Sequence, residues 1–221
     1  MQDGQGKWRA GDWGGDIYDE STKGLMIMSN ALDPVAQLAR ALDQAGAIIS
    51  RIKPEQSTLP TPCRSWDVRS LVTHLLDAVQ QFSVIATGGQ WNAHANVEIG
   101  EDWSAAYLAA ADTLLATWRR PGALDGTIQL PFGEFPVTWR LELQIAELAI
   151  HGWDIAKATG QSSELDPEVG QAALDWAKQN VLPQYRSADE GGGQSFGLEV
   201  PVQADAPLYD RLAGFVGRNP H

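Results

Sequence analysis

The chain has 221 residues with 43% hydrophobic and 20% charged side chains, the balance of an ordinary globular protein rather than a disordered one. Its formal net charge of −12 argues against nucleic acid or an anionic membrane as partner, since both would repel it. The one cysteine, Cys63, excludes an intramolecular disulfide and suits a reducing cytoplasm, which is the expected location.

No apolar stretch approaches the roughly 18 residues needed to cross a bilayer. The first 27 residues have no apolar core of a secretory signal. Residues 1–28 have no helical or alternating period and read as a flexible leader, with Met28 an alternative start. The rest, 29–221, is expected to form one domain. A first helix is expected from about Asp33 to Ile52, with Pro34 at its first position and Val35, Leu38, Leu42, Ala45 and Ile49 on one face. Three prolines then prevent residues 53–65 from being helical throughout. A second helix opens near Ser65 or Trp66, with Ser65 the candidate cap and Asp67 in the first turn, and the glycine pair at 88–89 ends it.

A third helix is expected over Trp103–Arg120, and a short hairpin over 125–138 with Pro131 and Gly133 at its turn. Trp139–Ala158 forms a fourth helix stopped by Gly160, and Asp166–Gln184 a fifth. Residues 187–195 read as a loop. Its glycines at 191–193 lack the strand–helix context of a phosphate cradle. The tail from Phe196 to Pro220 shows little regular period. The layout implies a mainly all-α fold, a bundle of four long helices with a hairpin and a C-terminal helix or tail.

The fourth helix carries the chemistry. Glu147 and His151 lie four apart among Leu143, Ile145, Leu148 and Ile150, where burial should exclude titratable groups unless something compensates them. Residues four apart share a helix face at roughly 5–6 Å, close enough to hold one ion. His74, in the second apolar helix, would complete two histidines and a glutamate. Three protein ligands leave a position open, as in catalytic rather than structural zinc sites. Each histidine taken alone is more simply a hydrogen-bonded core residue, and an exposed Glu-x-x-x-His pair on a solvated face looks the same.

The stretches TPCRSWDVRSLVTHLL (61–76), ELAIHGWDIAKATGQ (147–161) and VPVQADAPLYDRLAGFVGRNP (200–220) resemble, in the right order, three blocks of the actinobacterial metal-binding proteins related to mycothiol-dependent maleylpyruvate isomerase. These belong to the DinB and YfiT-like four-helix-bundle superfamily. The resemblance implies a DinB-like bundle whose metal, usually zinc, is held at the positions of His74, Glu147 and His151. It covers roughly residues 30–220. The isomerase carries a further C-terminal domain, whereas only about 60 residues follow the fourth helix here, so its substrate specificity is not carried over.

An open His2Glu site suits two chemistries. A low-molecular-weight thiol such as mycothiol, or bacillithiol, in the open position would be held as thiolate and attack a small electrophile, giving a transferase or isomerase. Water there would make a hydrolase. A saturated site, closed by Asp205 or Asp210 from the tail, would make a non-catalytic or regulatory metal-binding module. Nickel, cobalt or iron would also suit the donors.

Asp154 is the candidate for support of an imidazole or, less simply, a general base, with Lys157 or Arg140 its plain structural partners. Cys63 reads as a small buried hydrophobe more readily than as a reactive thiol. Trp66 and Trp153 are expected to pack around the site, and His94 and His221 to carry no role. Oligomeric state is open, a homodimer being one arrangement that broad apolar faces allow.

Overall fold

The structure is a computed structural model that describes residues 33–64, 66–89, 100–130, 133–188 and 196–220. The leader, Ser65, His94, Pro131, the glycines at 191–193 and His221 therefore lie outside the described residues.

Four long helices make the frame: α1 (Pro34–Ile49), α2 (Val68–Ile85), α3 (Trp103–Trp118) and α4 (Val137–Thr159). An aspartate starts three of them. Asp33 accepts from the Val35 N–H at 3.1 Å, Asp67 from Ser70 at 2.8 Å and Asp102 from Ala105 at 2.9 Å. Each takes up one of the amide hydrogens that a helix start leaves unbonded. Asp67 is thus the cap of α2, one position outside the first turn where the sequence placed it. Asp67→Ala is expected to cost about 1 kcal/mol, read as a lower urea midpoint at unchanged slope.

Gly160, at φ +68°, closes α4 in the left-handed conformation that glycine reaches without strain. The α5 helix (Pro167–Asn180) stops short of the expected Gln184, because Pro183 opens a separate 3-10 turn. The α1 helix likewise ends at Ile49, with Ser50 as its cap, rather than running to Ile52.

The Arg69 guanidinium lies 5.6 Å from the Trp103 ring, so α2 and α3 start at the same end of the bundle. Gln161, just past α4, donates to the Ile48 carbonyl at 3.0 Å, so α4 and α1 both finish there. Two neighbouring helices therefore run up and two run down. Each of α1 and α2 packs against both α3 and α4. Their shared core includes Leu38, Leu42, Leu71, Leu75, Leu114, Leu141 and Ile145, all nearly inaccessible.

Strands β1 (Thr127–Leu130) and β2 (Gly133–Pro136) pair antiparallel as the expected hairpin and lead directly into α4. The tail corrects the expectation of irregularity. It forms α6 (Leu208–Phe215), packed on α5 and α4, and a two-residue parallel pairing of β3 (Arg186–Ser187) with β4 (Phe196–Gly197). Tyr209, Leu212, Ala213 and Val216 turn inward at helical spacing over too few residues for a period to stand out. No helix among the described residues is long and apolar enough to cross a membrane.

Candidate metal centre

The α2 and α4 helices bring His74, Glu147 and His151 to one point, with a ligand atom of each lying within 4.8 Å of the others. Glu147 Oε2 is 3.2 Å from His74 Nε2 and 3.4 Å from His151 Nε2. His151 is nearly inaccessible, while the side chains of His74 and Glu147 keep 15% and 19% exposure, so the cluster opens to solvent on their side.

Behind the cluster, His151 Nδ1 lies 3.0 Å from Asp154 Oδ2, and the Arg218 guanidinium reaches the same oxygen at 3.4 Å. Asp154 is fully buried and Arg218 nearly so. The partner of Asp154 is therefore Arg218 from the C-terminal tail. Lys157 instead donates to the Pro220 carbonyl at 3.1 Å, and Arg140 lies over the Phe82 ring. Roofing the cluster, the Trp66 ring sits 4.4 Å from that of His74 and 5.7 Å from that of His151. Trp153 is buried on the other side of α4, toward Tyr209 and Leu212 of α6.

The electrostatics follow from this packing. Burial alone would raise the Glu147 carboxyl, but its bonds to His151 and His74 outweigh that and hold it well below the usual carboxylate range. Burial lowers His74 and outweighs the help of Glu147. His151 is raised, because the bonds to Asp154 and Glu147 overcome its burial.

Two expectations change. Asp205 and Asp210 join neither of the acid–histidine groupings found among the described residues, and Asp205 is exposed. Cys63 is half-buried rather than buried, and its sulfur lies within 4.8 Å of ligand atoms of His151 and Asp154. Arg218 is the residue the sequence reading missed. It lies 64 positions from Asp154, and no local spacing signals the pair.

The donors fit a divalent ion of the zinc type. Two imidazole nitrogens of borderline softness and one harder carboxylate oxygen make a His2Glu donor set, which suits zinc. Metal–ligand bonds of about 2.0–2.1 Å place tetrahedral ligand atoms roughly 3.3 Å apart, close to the separations seen.

A family model described as the mycothiol maleylpyruvate isomerase N-terminal domain matches residues 38–156. Two uncharacterized Mycobacterium tuberculosis proteins, MT0763 of strain CDC 1551 / Oshkosh and Rv0738 of strain H37Rv, are each 33% identical over 189 residues. The alignment takes in 85% of this chain and 98% of each of theirs. The crystal structure of the mycothiol-dependent maleylpyruvate isomerase superposes with a TM-score of 0.50 at 13% identity, covering 63% of this chain and 65% of that one.

Proposed function

The chain belongs to the mycothiol maleylpyruvate isomerase N-terminal domain family and has its DinB-like bundle, and from that premise we propose a metal-dependent thiol transferase or isomerase acting on a small electrophile. In this reading His74 Nε2, Glu147 Oε2 and His151 Nε2 hold zinc or a similar divalent ion, and a low-molecular-weight thiol of the mycothiol kind is the cosubstrate. The ion, when bound, stabilises the thiol sulfur as thiolate at neutral pH.

One observation carries the metal assignment. A carboxylate has only acceptor atoms, so the 3.0 Å contact from His151 Nδ1 to Asp154 assigns the imidazole proton to Nδ1. In the neutral ring this leaves a lone pair on Nε2, 3.4 Å from the acceptor oxygen of Glu147. Nε2 and the Glu147 oxygen are satisfied either by a second ring proton, which the raised His151 favours in the metal-free site, or by a cation shared between them in that proton's place.

The other side chains serve that arrangement. Asp154 fixes the His151 tautomer and ring orientation, and Arg218 offsets the charge of this fully buried carboxylate. Trp66 shields both rings on one side, leaving His74 and Glu147 as the wet approach. No fourth protein ligand joins the three among the described residues, which favours an open site over a saturated one. Asp154 has no exposed surface and acts through the imidazole rather than as a base on substrate.

The test is thiol transfer to monobromobimane by the zinc-loaded full chain with mycothiol, in wild type and Glu147→Ala. The reading expects turnover in wild type that the substitution removes. Equal rates in the two, or none in either, would refute it. Asp154→Asn is expected to weaken zinc affinity about 10–100-fold in a competitive chelator titration, the usual effect of losing a ligand's hydrogen-bond partner.

A further inference from the structure

The loop before α2 brings a sulfur atom beside His151. Its turn is held by hydrogen bonds: Thr61 Oγ1 donates to the Cys63 carbonyl at 2.9 Å, and so does the Trp66 N–H at 2.9 Å. Thr61 Oγ1 also reaches the Trp66 carbonyl at 2.8 Å, so Cys63 and the ring that roofs the cluster are fixed together. From there Cys63 Sγ lies within 4.8 Å of a ring nitrogen of His151 and a carboxylate oxygen of Asp154.

A second observation marks the same place. Asp154 is fully buried, and both of its partners, His151 Nδ1 at 3.0 Å and Arg218 at 3.4 Å, bond Oδ2. Oδ1 has no hydrogen-bond partner. A buried carboxylate oxygen without a donor is costly, and a cation satisfies it. Thiolate, imidazole and carboxylate together are a donor set that zinc-type ions accept. Bonds of about 2.3 Å to sulfur and about 2.0 Å to nitrogen set those two atoms roughly 3.6 Å apart. From a limit of 4.8 Å the group closes by no more than about 1.2 Å, which rotation about the Cys63 Cα–Cβ bond allows.

The two groups share one imidazole. A neutral ring has one nitrogen lone pair, so His151 serves an ion at Nε2 or at Nδ1 and not both. With an ion at Nδ1 the ring proton sits on Nε2 and faces Glu147 Oε2, 3.4 Å away. The Cys63 thiol proton leaves to solvent as the metal–sulfur bond forms. Arg218 opposes an incoming cation, but its charge also attracts the Cys63 thiolate that accompanies the ion.

We propose that Cys63, His151 and Asp154 form a second metal seat, for a thiophilic divalent ion, that draws His151 away from His74 and Glu147 when filled. Soft ions go to this seat because His74 and Glu147 offer no sulfur. A chain loaded there keeps two of the three outer ligands and is silent in the proposed transfer. The seat stands on its own geometry, and only the exclusion rests on the metal reading above.

The test adds cadmium to the reduced full chain and reads the ultraviolet sulfur-to-cadmium charge-transfer band, which only Cys63 can supply. The band should saturate at one ion per chain, and cadmium should slow alkylation of Cys63 by iodoacetamide at least tenfold. Cadmium affinity should fall at least tenfold in Cys63→Ser and in Asp154→Asn, while His74→Ala keeps the band. No band, no protection, or unchanged affinity in either of the first two variants would overturn the seat. Loss of the band in a folded His74→Ala would do the same, by placing the ion in the outer cluster. Cadmium should also release zinc from the zinc-loaded chain, and both ions held together would overturn the exclusion alone. Should the wild type hold no zinc, the metal reading fails separately, and the cadmium results still decide the seat.

Discussion

His151→Ala is expected to lower zinc affinity by more than 100-fold while leaving the helical circular dichroism unchanged. Partners one bond removed from a metal are worth about 10–100-fold, so loss of a ligand should exceed the effect of Asp154→Asn. The substitution also strands Asp154 and Arg218, which meet at 3.4 Å without the imidazole between Asp154 and the cluster. Glu147→Gln is the complementary variant, since it keeps the volume and removes the charge that both imidazoles face at 3.2 and 3.4 Å. Metal content per chain after dialysis checks both, with Asp175→Ala, an exposed acid on α5, as control. Full zinc occupancy in both ligand variants would refute the assignment. Chelation of the loaded wild type should also lower its melting temperature, because a ligand held at 100 times its dissociation constant adds about 2.7 kcal/mol of stability.

Gly217→Ala should be the most damaging small substitution in the tail, by about 2–4 kcal/mol from combined backbone strain and overpacking. Gly217 sits at φ +89°, and a Cβ there would lie 2.5 Å from the Gly197 Cα, backbone against backbone with no flexible side chain to yield. The crossing of residue 217 over β4 therefore admits no side chain. For a chain of this size the loss corresponds to a fall of roughly 5–15 °C in melting temperature. Arg218 follows directly and donates to the Val216 carbonyl at 3.0 Å, so the crossing also fixes the guanidinium that pairs with Asp154. A thermal melt with zinc titration of the folded fraction reads both effects. A melting temperature within 2 °C of wild type would show that the tail relaxes freely around the new methyl group.

Helix existence was legible because α1, α2 and α4 bury long faces, and such faces impose a 3.6-residue period over many turns. Their ends were less so. The α2 cap fell on Asp67 because the backbone direction before Val68 is set by the Pro60–Asp67 bridge, a tertiary contact. The α6 helix was expected only as a C-terminal helix or tail without bounds, since eight residues carry too few repeats to rise above a Gly- and Pro-rich tail.

The sequence by itself determined the bundle and the pairing of Glu147 with His151, because residues four apart on a helix must share a face whatever surrounds it. Only the tertiary structure decided that His74 meets that pair across α2 and α4, and that Trp66 roofs them. It alone paired Asp154 with Arg218 and brought Cys63 beside His151. The physical reason is separation along the chain. Contacts 64 and 73 residues apart depend on which way each helix runs and on where the tail crosses back, and no local period encodes either.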